Sequence, residues 1–177
     1  MSYLQLASRG IIGFVMVLAV VGKLSGRTQW RDFQASLGGF GWIPRGWWPA
    51  VAALVATAEI AVVALLIVPA TGAAGLACGG LMLMAVTLAV LAARRSGREV
   101  RCHCFGVDAG TIGRKHLARN ALLVLVCIVG VVTSGATAGT PGPVTAGVLL
   151  GFAGIAAAML SYPAELAFLV APPSRRS

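Results

Sequence analysis

Long apolar stretches alternate with short polar interruptions along the whole chain, and the apolar stretches have the length of a membrane crossing. Spanning about 30 Å of hydrocarbon takes roughly 17 to 25 residues of helix, and five stretches meet that length: about 6–22, 48–68, 73–93, 117–133 and 144–170. Within lipid a lone span must satisfy its own backbone hydrogen bonds, which an α-helix does. The pattern therefore predicts an all-α fold, a polytopic integral membrane helical bundle of five transmembrane helices, four forming a core and one added to it. The first stretch is followed by Lys23-Leu24-Ser25 and lacks a small-residue cleavage motif, so it reads as a retained helix rather than a signal peptide. With no repeat and no linker composition, residues 1–177 read as a single membrane domain.

The connection between the first two spans has its own period. In "TQWRDFQASL", Trp30, Phe33 and Leu37 recur at i, i+3 and i+7, opposite Arg31, Asp32 and Gln34. That is the pattern of a short helix lying in the membrane interface. Trp42, Trp47 and Trp48 follow, amphipathic rings suited to headgroup depth at the start of the second span. Such an aromatic shelf suits a lipid headgroup or a quinone; a plain interfacial belt is the simpler reading.

Composition adds to this by exclusion: 58% of the 177 residues are hydrophobic and 11% are charged, which rules out an ordinary soluble domain. The net charge of +9 would suggest nucleic acid in a soluble protein, but its distribution points elsewhere. Basic residues fall in alternate connections: Lys23, Arg27, Arg31 and Arg45 after the first span, then Arg94, Arg95, Arg98, Arg101, Arg114, Lys115 and Arg119 between the third and fourth, and Arg175 and Arg176 in the tail. The connections near 69–72 and 134–143 carry none. The positive-inside rule then places the N-terminus outside and the C-terminus in the cytoplasm, with Arg9 the exception, and makes these residues topological determinants facing membrane lipid, with no nucleic-acid partner.

A charge inside a span is informative because an ionised side chain near the bilayer centre costs on the order of 3 kcal/mol on insertion scales. Glu59, in "ATAEIAVV", is such a residue and is a functional candidate on that ground. Lys23, Arg119 and the Asn120 amide are its candidate partners; the alternative is a neutral acid used only in helix packing.

Chemistry of another kind lies in the segment 94–116, "RRSGREVRCHCFGVDAGTIGRKH", predicted to be cytoplasmic. A disulfide between Cys102 and Cys104, one residue apart, would need a backbone turn and would be strained and readily reduced. Arg98, Arg101 and a protonated His103 would favour thiolate. Redox exchange is the leading reading; a soft-metal clip using His103 or His116 and a pair without chemistry remain alternatives, and no metal site is assigned. Cys78 and Cys127 would lie at similar depth in the outer halves of the third and fourth spans and form a candidate second redox pair, against the plainer reading of two small buried residues.

The strings "CHCFG" and "LARNALL", with "AEI" in the preceding hairpin and "VGKLSG" after the first span, resemble the MauE family, polytopic proteins related to DoxX-like membrane proteins and named for methylamine utilisation. The resemblance covers roughly 6–133 and leaves the fifth span outside. It implies thiol redox traffic at the membrane beside a thioredoxin-like partner, with Cys102 and Cys104 as the redox pair and Glu59, Arg119 and Asn120 in support. The family loop often has glycine between the cysteines, where this chain has His103. A thioredoxin-like partner is expected outside, whereas the charge pattern puts the cysteines inside. Two arrangements reconcile them: a relay through Cys78 and Cys127, helped by a mobile loop or a quinone, or a loop that folds back toward Glu59. The expectation is a membrane thiol-disulfide oxidoreductase; a non-catalytic subunit that recruits a partner and a soft-metal-handling protein are the rivals.

Overall fold

The computed structural model describes residues 3–96, 114–135 and 154. The chain forms an all-helical membrane bundle. Four of its helices are long and apolar enough to cross a bilayer among the described residues, over Tyr3–Leu24, Arg45–Ile67, Pro69–Arg95 and Leu117–Gly135. In order, the helices are α1 (Tyr3–Leu24), α2 (Arg27–Ser36), α3 (Trp48–Ile67), α4 (Gly72–Arg95) and α5 (Arg114–Val132). The fifth expected span, about 144–170, lies outside the described residues apart from Gly154, which is helical and sits beside Phe14 of α1.

The long helices pack in a ring, α1 on α3, α3 on α4, α4 on α5 and α5 on α1. Neighbours run antiparallel: the α3 residue Leu66 meets Gly75 of α4 while Val62 meets Gly79, and on the next seam Gly80 meets Cys127 while Thr87 meets Asn120. Their shared core is Ile12, Val15, Met16, Val62, Leu66, Leu76, Leu83, Leu123 and Cys127, drawn from all four. Leu54, Leu81, Leu88, Leu125 and Ile128 are turned outward and exposed, as lipid-facing residues are. Lipid tails are as apolar as leucine, so burial alone does not drive such helices together; close packing of small residues does.

That packing is concentrated on α4. Gly72, Gly75 and Gly79 recur at i, i+3 and i+7 and are buried. A Cβ at Gly75 would stand 3.0 Å from the Leu66 backbone nitrogen, and one at Gly79 would stand 3.3 Å from both Ile12 and Val62. This stripe seats α4 in the groove between α1 and α3. Gly80 is turned to α5 instead, and Gly130 of α5 receives Leu76 and Ser8, each 2.7 Å from where its Cβ would be.

Sequence also sets the helix ends. Pro69 forces Val68 into extended backbone (φ −76°, ψ 124°), which stops α3, and Pro49 occupies the first turn where its missing N–H costs nothing. The short α2 packs on α1 and α3, burying Phe33 and Leu37 against Ala52, with Trp30, Phe40, Ile43 and Trp48 around them. Gly41, at φ 73°, ends the 3-10 turn Leu37–Phe40 in the left-handed region and turns the chain back toward α3. Gly38 lies under the Trp48 ring, whose Nε1 donates to the Ile43 carbonyl at 3.1 Å. Among the described residues the bundle thus holds two apolar clusters, one among the four long helices and one where α2 covers the beginning of α3.

Candidate functional site

Between those clusters lies an ion pair. Lys23, in the last turn of α1, donates from Nζ to Oε1 of Glu59 in the middle of α3 at 2.5 Å, and the side chains are 1% and 6% exposed. Of the three partners expected for Glu59, the structure brings Lys23 to it.

The direction in which Lys23 reaches is unusual. Ile12 and Val62 flank the same point on Gly79 and fix the register of α1 on α3. Counting down α1 from there puts the Lys23 backbone beside the early turns of α3, about two turns, roughly 10–12 Å, short of Glu59. A lysine near a helix end ordinarily snorkels outward to water. Lys23 instead extends into the bundle, where the Phe33 ring of α2 lies over its ammonium, with 5.0 Å between Nζ and the ring centroid. The ammonium is therefore held by a carboxylate on one side and the face of an aromatic ring on the other, both favourable contacts for a cation. Glu59 has a second, unequal oxygen: Oε2 is buried and has no hydrogen-bond partner among the described residues.

Asn120, near the start of α5, donates from Nδ2 to Thr87 Oγ1 at 3.2 Å, and Thr87 in turn donates to the Leu83 carbonyl. This bond ties the first half of α5 to α4. Arg119 beside it is half-buried. Cys78 and Cys127 are free thiols. Cys127 is in the core with its Cβ 3.1 Å from where Gly80 would carry one, whereas Cys78 is exposed on α4. Gly80 is thus the residue of α4 set against Cys127. Cys102, His103 and Cys104 lie outside the described residues. Among the described residues no group of three His, Cys, Asp or Glu side chains is placed to hold a metal ion.

At the other end of α1, Arg9 donates from Nε to the Leu66 carbonyl at 3.0 Å, from Nη2 to the same oxygen, and from Nη2 to the Ile67 carbonyl at 3.2 Å. Sequence reasoning left Arg9 as an exception to the charge pattern. Its signal was present: a lone arginine in an apolar span is costly unless something inside the bundle accepts its hydrogen bonds.

Four packed spans with an apolar exterior and an ion pair within define a polytopic α-helical membrane protein. The chain belongs to the MauE family: the family model described as methylamine utilisation protein MauE matches residues 1–133. No curated protein and no solved structure matches the chain. The matched stretch takes in α1 to α5 and the Cys102-His103-Cys104 motif, and it ends at the last turn of α5.

Proposed function

We propose that the protein is a membrane thiol-disulfide oxidoreductase working through Cys102 and Cys104. The observation that carries this reading is a Cys-x-Cys motif, flanked by Arg98 and Arg101, within the residues matched by the MauE family. One thiolate attacks a disulfide of a thioredoxin-like protein or small disulfide, forming a mixed disulfide and releasing one partner thiolate. The second cysteine then attacks its neighbour's sulfur and releases the other. The partner is reduced by two electrons and the pair is oxidised to a disulfide; the reverse sequence oxidises the partner. To reset the pair, a bilayer quinol is the candidate reductant when the pair has been oxidised, becoming quinone, and a quinone is the candidate oxidant in the reverse direction, becoming quinol. His103 adds local positive charge when protonated, and Arg119 and Asn120 hold the point at which the cysteine segment joins α5. The N-terminus faces outward and the cysteine segment and C-terminus face the cytoplasm, as the arginine distribution favours.

Trapping tests the chemistry and names the partner together. With Cys104→Ser the mixed disulfide on Cys102 cannot be resolved, so a covalent adduct sensitive to reductant is expected on a non-reducing gel. Absence of an adduct, together with thiols at 102 and 104 that never change state on gel-shift alkylation, overturns the reading.

A further inference from the structure

The Lys23–Glu59 pair joins α1 to α3 inside the bundle. A buried ion pair is weak glue, since desolvation offsets its attraction and apolar residues of the same volume often serve as well or better. An unpaired buried acceptor costs a full desolvation penalty, so most buried side-chain polar atoms have a hydrogen-bond partner. Here Oε1 is engaged and Oε2 is not, in a side chain more than nine-tenths buried. The ammonium has a second support that is independent of the carboxylate's charge, the Phe33 ring. Lys23 therefore keeps one favourable contact when Glu59 is neutral.

We propose that Lys23 and Glu59 form a proton-binding site in the bundle, with Oε2 of Glu59 taking up and releasing a proton while the Lys23 ammonium stays on Oε1 and under Phe33. Uptake converts the carboxylate to a carboxylic acid, with the proton drawn from water, and the pair goes from zero net charge to +1; release reverses both. Among the residues whose side chains are described, the remaining charged groups on the packed helices stand elsewhere. On α1, Arg9 binds the Leu66 and Ile67 carbonyls at the opposite end. On α2, Arg27, Arg31 and Asp32 are exposed, as are Arg94 and Arg95 of α4. On α5, Arg119 is half-buried at the helix start. No carboxylate other than Glu59 is buried among the described residues, so a pH-dependent signal from a buried carboxyl there is assigned to it.

The proposal makes no use of the cysteines, so the experiment uses the full chain with Cys102→Ser and Cys104→Ser, in lipid nanodiscs. Infrared difference spectra are collected as pH is stepped across the range in which the protein stays folded. Glu59→Gln serves as one reference and the double replacement Lys23→Met with Glu59→Met as a second that leaves no lone charge. The expected result is a carboxylic-acid C=O band that grows as pH falls and is lost as pH rises, shifts in heavy water, and is missing from both references. A band absent at every pH means a permanently ionised pair, and a band of constant size means a permanently neutral one; either overturns the proposal. Failure of the thiol chemistry would leave this measurement unchanged.

Discussion

The guanidinium of Arg9 closes the end of α3 by donating to the Leu66 carbonyl. Helices leave their last carbonyls without partners, and Pro69 prevents the chain from supplying backbone donors by continuing the helix. Arg9 does this from a different helix, so one side chain both satisfies α3 and fixes the level of α1 against it. Gly72 makes room: a Cβ there would be 2.7 Å from the centre of the guanidinium. Arg9→Met is expected to lower stability by about 1–3 kcal/mol, the cost of leaving buried acceptors unserved. Arg9→Lys should restore only part of this, because an ammonium lacks the planar fork that reaches two carbonyls. Thermal unfolding in a single detergent measures both; equal stability of all three proteins would remove the cap from the account.

The ion pair predicts a non-additive cycle. Lys23→Met leaves a buried carboxylate alone and Glu59→Met a buried ammonium, so each single change is expected to cost about 3–5 kcal/mol at a pH where the pair is charged. The double change removes both charges and should cost little, or stabilise. A double-mutant cycle read by denaturation midpoints checks this; additive losses would mean that the two side chains do not act as a pair.

Much of this architecture could be read from the chain because lipid allows so few solutions. An apolar run of spanning length has to be a helix, and the i, i+3, i+7 spacing of Trp30, Phe33 and Leu37 marked the short helix between the first two spans. Glu59 announced itself by being a charge where charges are costly, and Lys23 was among the partners expected for it. What the pattern did not carry was the arrangement across the bundle. Periodicity showed that Phe33 is on an apolar face, but not that this face covers Lys23. Gly79 and Gly80 are adjacent small residues, yet Gly79 is turned to α1 and α3 whereas Gly80 meets α5. Adjacent residues on a helix point about 100° apart, so which neighbour each one meets depends on the packed ring and not on the local sequence.

Close approach along α4 predicts a graded cost of adding side chains. Gly75→Ala places a methyl against the Leu66 backbone at 3.0 Å, where nothing flexible can give way. Gly130→Val meets Leu76 and Ser8 from α4 and α1 together. Overpacking of this kind is expected to cost about 1–3 kcal/mol. Gly135→Ala, at a position with open space around it, should cost little. Measured together by thermal unfolding, the first two falling level with the third would argue against the α4 groove.

The thiols of the bundle give a test of helix rotation that needs no activity. Cys127 faces Gly80 across the α4–α5 seam, with 3.1 Å between its Cβ and the position a Gly80 Cβ would take. Disulfides form at Cβ separations of about 3.5–4.5 Å, so the seam has to open by only a few tenths of an ångström to accept one. Cys78 is two residues earlier on α4, about 200° around the helix from Gly80, and it is exposed. In a background with Cys102→Ser and Cys104→Ser, Gly80→Cys is therefore expected to cross-link to Cys127 under mild membrane-permeant oxidation. The parent, with Cys78 and Cys127 alone, should stay reduced under the same treatment. Alkylation with a mass tag before and after oxidation reads the result. Efficient linkage of Cys78 to Cys127 would mean that α4 is rotated by about half a turn from the arrangement described. It would also return those two cysteines to the proposed electron path as a second redox pair.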